Sequence, residues 1–195
     1  MEMKEMVNFK VIDNFLPADV FTELHDLVLP QPVDYKYEDG TSAYKGVPHA
    51  GPLQGPQIDW CYNPEVISPE KGDGNWRLFY LIHLLYNQTL TSPYASKIIP
   101  PIEKLLDYKT LIRMKINMFP NTEKLHEHGM HTDFDYSHKA AIFSINTCDG
   151  YTKLEDGTKI DSVANRILLF DASKLHSSTT TTNQTVRVNI NFNYF

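Results

Sequence analysis

This sequence has few cysteines, no long apolar run and no excess of positive charge. Only Cys61 and Cys148 occur among its 195 residues, far apart and without CxxC spacing, so we expect two free thiols in a reducing compartment. The longest apolar stretch, residues 78–86, is interrupted by His83 and is far below the roughly 20 residues that span a bilayer. The charged amino terminus lacks the apolar core of a signal peptide. We therefore expect a cytoplasmic chain without a membrane partner.

The charge balance and the missing motifs exclude several classes of function. The chain carries 18 Lys and Arg against 24 Asp and Glu, a net charge of −6, which disfavours nucleic acid as a partner. It contains no P-loop and no GxSxG motif, which disfavours nucleotide hydrolysis and a serine nucleophile. Asp133 and Asp135 are too close in sequence to flank a substrate bond as an acid/base pair. Oligomeric state is not predicted.

The length fits a single domain, residues 1–195, whose first 108 residues we predict to be helical support and a lid. A strand at residues 9–12 leads into a helix that Pro17 opens. We predict two more helices, over residues 76–87 and over residues 93–106, the latter interrupted at Pro100-Pro101.

The segment between the first two predicted helices is long and rich in Pro, Gly and Tyr. A loop of this length, residues 30–73, is usually functional or mobile in a compact domain. We interpret it as a substrate-facing lid, with a partly ordered surface excursion as the alternative.

From residue 109 onward the pattern changes to strands. Turn signals stand at Asp149-Gly150 and Asp156-Gly157. The predicted strands cover residues 111–119, 131–133, 140–146, 163–170, 176–182 and 185–195. Helices first and strands after predict an α+β, mainly β chain: a jelly roll, or double-stranded β-helix, with the amino-terminal helices packed on one outer face.

A cluster of histidines stands at the start of this strand region. On a strand, His131 and Asp133 point to the same face, and His176 can join them from a second strand. Two histidines and one carboxylate bind one face of iron(II) and leave three coordination positions open. His126, His128 and His131 offer an alternative zinc site, but a closed structural site needs a fourth ligand.

Two strands alternate strictly between apolar and polar residues. If their polar faces lie in water, the sheet is simply half exposed. If they line the inside of a barrel, they form a polar cavity with a fixed guanidinium that suits a dicarboxylate. The polar residues are Arg113, Lys115 and Asn117 on one strand and Arg187, Asn189, Asn191 and Asn193 on the other.

The order of these residues resembles a known family. His131-Thr132-Asp133, then His176, then Arg187 is similar to the HxD…H…R pattern of the iron(II)/2-oxoglutarate dioxygenases. Within them it resembles the prolyl 4-hydroxylase-like branch, including short members encoded by phages. The opening Phe-Lys-Val-Ile-Asp-Asn-Phe-Leu-Pro17 resembles that branch's amino-terminal strand and helix, and residues 111–195 resemble its double-stranded β-helix core.

The resemblance implies roles for individual residues. His131, Asp133 and His176 would be the catalytic iron ligands, and Arg187 would pair with the distal carboxylate of 2-oxoglutarate. Further co-substrate contacts would come from Asn189, Asn117 and Ser144. Ser144 stands where prolyl hydroxylases often place a tyrosine.

The resemblance also implies a reaction. Fe(II), 2-oxoglutarate and O2 would serve to hydroxylate a C–H bond, with release of succinate and CO2 and with ascorbate as a reductant. Peptidyl proline is the substrate that the resemblance favours, so the partner would be a peptide or a small molecule. Alkylated nucleic acid, a small metabolite, and a jelly-roll domain that binds without turnover are the alternatives.

Overall fold

The computed structural model describes residues 9–29, 35–36, 42–43, 58–64, 66 and 78–195. The two helices in this part of the chain are α1, Ala18–Val28, and α2, Ala95–Glu103. The strands are β1 Phe9–Ile12, β2 Tyr35–Lys36, β3 Ser42–Ala43, β4 Cys61–Asn63, β5 Tyr80–Asn87, β6 Leu111–Pro120, β7 Lys139–Ser144, β8 Tyr151–Leu154, β9 Lys159–Asp161, β10 Arg166–Asp171, β11 His176–Ser178 and β12 Val186–Tyr194.

Two antiparallel sheets form the body of the protein. The larger has seven strands in the order β1-β10-β7-β12-β6-β5-β4, and the smaller has three in the order β11-β8-β9. Strands of the carboxyl-terminal half supply the centre of the larger sheet and the whole smaller sheet, as in a jelly roll. The predicted mainly β jelly-roll fold is thereby confirmed, with two helices in the described part of the chain where three were predicted.

Strand β12 shows how the alternating sequence builds this fold. Its apolar residues Val188, Ile190 and Phe192 belong to the main core together with side chains of both helices. Its polar residues lie on the opposite face and are nonetheless buried, with exposed fractions of 1% for Arg187 and 2% for Asn189. The polar face therefore looks into the molecule, and the half-exposed alternative is wrong.

The core between the helices and the larger sheet is centred on Phe143 of β7. Its ring is fully buried and lies edge-on to Phe15 and Phe21, with centroids 5.8 and 6.0 Å away. We expect Phe143→Ala to lower the free energy of unfolding by about 3–5 kcal/mol, because it leaves a cavity that the sheet cannot close. Denaturant titration measures this loss, and Leu90→Ala, at a residue 68% exposed, should change stability by less than about 0.5 kcal/mol.

The helix predicted over residues 76–87 is wrong. Residues 80–87 form strand β5, which pairs with β4 on one side and β6 on the other; Trp76 and Arg77 lie outside the described residues. An apolar run of this length suits a buried strand as well as a helix, and here pairing on both edges decides the outcome.

The helix predicted over residues 93–106 is present as α2, but it is not interrupted. Pro100 and Pro101 lie inside it. They remove the hydrogen bonds that the carbonyls of Ser96 and Lys97 would accept. Both of those residues are exposed, so water can donate hydrogen bonds to their carbonyl groups instead.

Two strand predictions need correction, and two further strands were missed. Residues 131–133 form no strand: His131 makes only a single bridge to His176, and Asp133 lies in a bend. The strand from His176 ends at Ser178, although isolated bridges continue it at Thr179 and Thr181. Strands β8 and β9 were not predicted, although the Asp156-Gly157 turn that joins them was; Gly157 has φ +87°, which glycine adopts without strain.

The predicted strand at residues 9–12 and helix after Pro17 are confirmed as β1 and α1. Most of the predicted lid, residues 30–73, lies outside the described residues. None of the described helices is long and apolar enough to cross a membrane. Cys61 is exposed, Cys148 is buried, and both are free thiols, as expected.

Candidate metal centre

Three side chains converge between the two sheets. His131, Asp133 and His176 each offer one ligand atom, and these atoms lie within 4.8 Å of one another. Within the described ranges this is the one group of three or more His, Cys, Asp or Glu side chains with such spacing. His126 and His128 are not part of it, so the alternative three-histidine zinc site does not form.

Backbone pairing fixes the two histidines. The amide of His131 donates to the carbonyl of His176 at 2.9 Å, and the amide of His176 donates back at 2.9 Å. The two rings consequently stand 4.7 Å apart. A two-way bridge of this kind sets the positions of both side chains without a regular strand at residues 131–133.

The same histidines are oriented for binding through Nε2. Nδ1 of His131 lies 3.2 Å from the carbonyl of Gly129, and Nδ1 of His176 lies 3.2 Å from that of Lys174. A carbonyl only accepts, so Nδ1 carries the proton and Nε2 offers its lone pair. Burial lowers the pKa of His131, and burial with the neighbouring His131 lowers the pKa of His176 to about 4. Both rings are therefore neutral near pH 7, the form that binds metal.

Asp133 is held by donors from β6 and β12. Arg113 Nη2 donates to Oδ1 at 2.8 Å, and the amides of Asn193 and Asn191 donate to Oδ2 at 2.8 and 3.2 Å. Burial alone would raise the pKa of Asp133, but the cations Lys115 and Arg113 with the other donors outweigh it and hold that pKa well below its usual range. The carboxylate is thus charged and fixed in orientation.

A cavity of about 40 Å³ adjoins the three side chains. Apart from them, its walls include Val66, Tyr80, Lys115, Phe119, Ile142 and Thr152. Val66 is the one described residue of the predicted lid that lines it. A larger surface cleft of about 830 Å³ lies elsewhere, beside the chain's last residues, and contains none of the three ligand candidates.

Arg187 lies directly behind this cavity. Its Nη2 donates to Thr152 Oγ1 and its Nη1 to the carbonyl of Thr179, both at 3.1 Å, while its Nε has no partner. Among the described residues no carboxylate lies within ion-pair distance of it. Burial lowers the pKa of Arg187 to about 10, so the guanidinium stays charged at neutral pH. A buried cation without a counter-ion is costly and points to an anionic ligand.

Gly150 makes room for this arginine. A Cβ at Gly150 would stand 2.5 Å from Cδ of Arg187 and 2.6 Å from the carbonyl oxygen of Thr180. The Asp149-Gly150 turn predicted from sequence therefore has a packing role: only glycine allows the arginine side chain to pass.

The three other residues expected to contact the co-substrate, Asn117, Asn189 and Ser144, do not all lie at the cavity. Asn117 and Asn189 face each other across β6 and β12, line the cavity, and share a hydrogen bond of 3.0 Å from Asn117 Nδ2 to Asn189 Oδ1. The Oδ1 of Asn117 has no partner. Ser144 is the register partner of Asn189 on β7 and is buried, but it does not line the cavity.

Sequence reasoning missed the residues that support Asp133. Arg113 and Asn193 were noted only as members of alternating polar faces, and His138 was given no role, although His138 Nε2 lies 3.3 Å from Asn193 Nδ2. The signal available was the register: two polar faces on paired strands place Arg113 opposite Asn193.

Comparison with known proteins gives a likeness in structure alone. No protein-family model matches the sequence, and no curated protein matches it. A prolyl hydroxylase from Trichoplax adhaerens, solved with a peptide fragment of the oxygen degradation domain of hypoxia inducible factor, is similar with a TM-score of 0.54 and 16% identity. That alignment covers 96% of this chain and 83% of the other.

Two further solved structures are similar over nearly the whole chain. An oxidoreductase of the 2OG-Fe(II) oxygenase family from Burkholderia pseudomallei aligns with a TM-score of 0.55 and 10% identity, over 96% of this chain and 84% of its own. A viral collagen prolyl hydroxylase from Paramecium Bursaria Chlorella virus-1, solved as a 2OG complex, aligns with a TM-score of 0.52 and 9% identity, over 95% and 94%. At these identities the likeness establishes a shared fold.

Proposed function

We propose that this chain, which has the fold of the prolyl hydroxylases and the 2OG-Fe(II) oxygenases, is a single-domain iron(II)- and 2-oxoglutarate-dependent dioxygenase. One observation carries the proposal: the convergence of His131, Asp133 and His176 beside a buried Arg187 that has no acidic partner in the described part of the chain. A site of this kind can hold a divalent metal and a dicarboxylate together. A domain that binds without turnover has no need of the pair.

The donor set fits iron(II). Two neutral imidazoles and one carboxylate on one side of an ion leave three further positions for ligands, the arrangement of non-haem iron oxygenases. Arg113 and Asn193 keep the carboxylate of Asp133 in place, as second-layer partners commonly do for metal ligands. When bound, the iron would supply O2 activation.

The wall of the cavity fits 2-oxoglutarate. Its keto-acid end would chelate the metal, and its distal carboxylate would reach Arg187, displacing or adjoining the hydroxyl of Thr152. Asn117 and Asn189 line the cavity on β6 and β12, between the metal-ligand candidates and Arg187, and would offer amide groups to the co-substrate. Ser144, the register partner of Asn189 on the neighbouring strand β7, does not line the cavity and would act only through Asn189.

In the proposed reaction one oxygen atom of O2 enters 2-oxoglutarate, which loses CO2 and becomes succinate. The other enters a C–H bond of the substrate as a hydroxyl group. We propose peptidyl proline as that substrate, because two of the similar structures are prolyl hydroxylases and one of them was solved with a peptide. Ascorbate as the reductant is proposed from the sequence resemblance alone. The net charge of −6 disfavours alkylated nucleic acid.

The first test is 2-oxoglutarate binding to anaerobic protein loaded with iron(II). Chelation by the keto acid should produce a weak visible absorption that neither iron(II) nor 2-oxoglutarate gives alone with the protein. Admission of O2 should then release succinate. Bound iron without this absorption would refute the proposed function.

The substrate class is tested separately. Proline-containing peptides, free L-proline and methylated oligonucleotides are offered in parallel, and each product is examined by mass spectrometry for the gain of one oxygen atom. Oxygen gain in the peptides alone supports peptidyl proline. Gain in either other probe moves the assignment to that class while leaving the oxygenase intact.

Gly150→Ala should weaken 2-oxoglutarate binding through Arg187, without touching the metal-ligand candidates. The added Cβ collides with Arg187, so the guanidinium must move, and the overpacking should cost about 1–3 kcal/mol of stability. Calorimetric titration and denaturant unfolding measure the two effects. Gly157→Ala is the matched control: its Cβ meets nothing within 4 Å, so the strained φ lowers stability while 2-oxoglutarate affinity stays unchanged. Wild-type affinity in Gly150→Ala would contradict the role of Arg187.

A further inference from the structure

A second cation, Lys115, lines the cavity itself. It lies on β6 and shares the cavity wall with all three metal-ligand candidates. Its register partner on β12 is Asn191, whose amide donates to Asp133. Lys115 therefore lies on the part of the cavity wall nearest to Asp133, the carboxylate among the three metal-ligand candidates.

Within the described part of the chain, no carboxylate lies within ion-pair distance of Lys115, although the charge of Asp133 acts on it from farther away. Arg113, two residues earlier on the same strand face, already makes the ion pair with Asp133 at 2.8 Å. The ring of Tyr80 lies 5.8 Å from Lys115 Nζ and stabilises the ammonium weakly. Asn117 and Asn191 line the same cavity and each has an Oδ1 atom without a hydrogen-bond partner, but an amide oxygen does not neutralise a charge. Burial lowers the pKa of Lys115 to about 8, so most of the population is still protonated at neutral pH.

Lys115 and Arg187, which both lack an ion-pair partner among the described residues, belong to different rows of the paired strands β6 and β12. Arg187 occupies the row of Phe119, and Lys115 the row of Asn191. Four residues along a strand span about 13 Å between Cα atoms, a separation that leaves room for a ligand between the two long side chains. A five-carbon dicarboxylate laid from the metal toward Arg187 would have its keto-acid carboxylate near the row of Lys115, because Asn191 of that row donates to the metal-ligand candidate Asp133.

We propose that Lys115 binds the carboxylate of the 2-oxo acid group, the end of the co-substrate that meets the metal, while Arg187 binds the distal carboxylate. This inference rests on the proposed function. It gives the cavity two carboxylate-binding residues with separate targets, and it makes Lys115 a co-substrate-binding residue rather than a structural one.

The test compares two keto acids on anaerobic iron(II) protein: 2-oxoglutarate, and 2-oxopentanoate, which has the same chain length but no distal carboxylate. Dissociation constants are read from the chelate absorption for wild type, Lys115→Met and Lys115→Gln. Lys97→Met, at an exposed lysine on α2, is the matched control. Iron(II) affinity and unfolding are measured for every variant, so that a damaged metal site or fold is recognised.

The expected result is that both Lys115 variants bind both keto acids about tenfold more weakly, by the same factor, with iron(II) affinity retained. Weakening confined to 2-oxoglutarate would place Lys115 at the distal carboxylate and overturn the proposal. Unchanged affinity for both would also overturn it and leave a carboxylate of the hydroxylated substrate as the partner. If wild type binds neither keto acid, the proposed function itself fails.

Discussion

His176→Ala is expected to abolish tight iron(II) binding and, with it, succinate formation. The imidazole is 4% exposed and its Nε2 points into the group formed with Asp133 and His131. Even partners one layer out from a metal commonly contribute ten- to hundredfold to its affinity, so the loss of a direct ligand should exceed about a hundredfold. His131→Ala and Asp133→Ala should behave alike.

The measurement is an anaerobic iron(II) titration, followed by the rate of succinate release under O2. His83→Ala is the control, because His83 is also a buried histidine but makes its hydrogen bonds to the carbonyl of Asp59 and to Ser92, away from the cavity. We expect that control to lose stability and keep its iron. Wild-type iron affinity in His176→Ala would refute the metal centre.

The metal-ligand candidates and the polar strand faces could be predicted because both follow from local patterns. HxD places two ligand types two residues apart, and strict alternation on β12 assigns Arg187 to one side before any tertiary contact is known. Whether that side faced water or the interior could not be predicted. It depends on the smaller sheet, and two of its three strands, β8 and β9, are only four and three residues long, too short to be recognised by alternation.

The errors share a physical cause, which is pairing between distant segments. β5 resembles a helix by its apolar run and becomes a strand because β4 and β6 flank it. His131 and Asp133 converge through a bridge to His176 and through donors on β6 and β12, with no strand of their own. Lys115 was visible as one more polar residue, and only the register beside Asn191 places it near the metal candidates.

Arg187→Met should weaken 2-oxoglutarate about ten- to a hundredfold and leave 2-oxopentanoate unaffected. A charge-assisted, two-pronged contact to a carboxylate is lost with the guanidinium, and 2-oxopentanoate has no carboxylate at that end. Methionine keeps much of the side-chain volume against Phe119. Chelate absorption on anaerobic iron(II) protein gives both affinities.

Stability without ligand separates this role from a structural one. Arg187 is a buried cation without a counter-ion in the described part of the chain, so its replacement by an apolar side chain should leave the free energy of unfolding unchanged or raise it by about 1–4 kcal/mol. Saturating 2-oxoglutarate should raise the melting temperature of the iron-loaded wild type and raise that of Arg187→Met far less. Equal loss of affinity for both keto acids would mean that the substitution acts through the metal site or the fold. The distal carboxylate would then have no partner at Arg187, and the assignment of 2-oxoglutarate would fail with it.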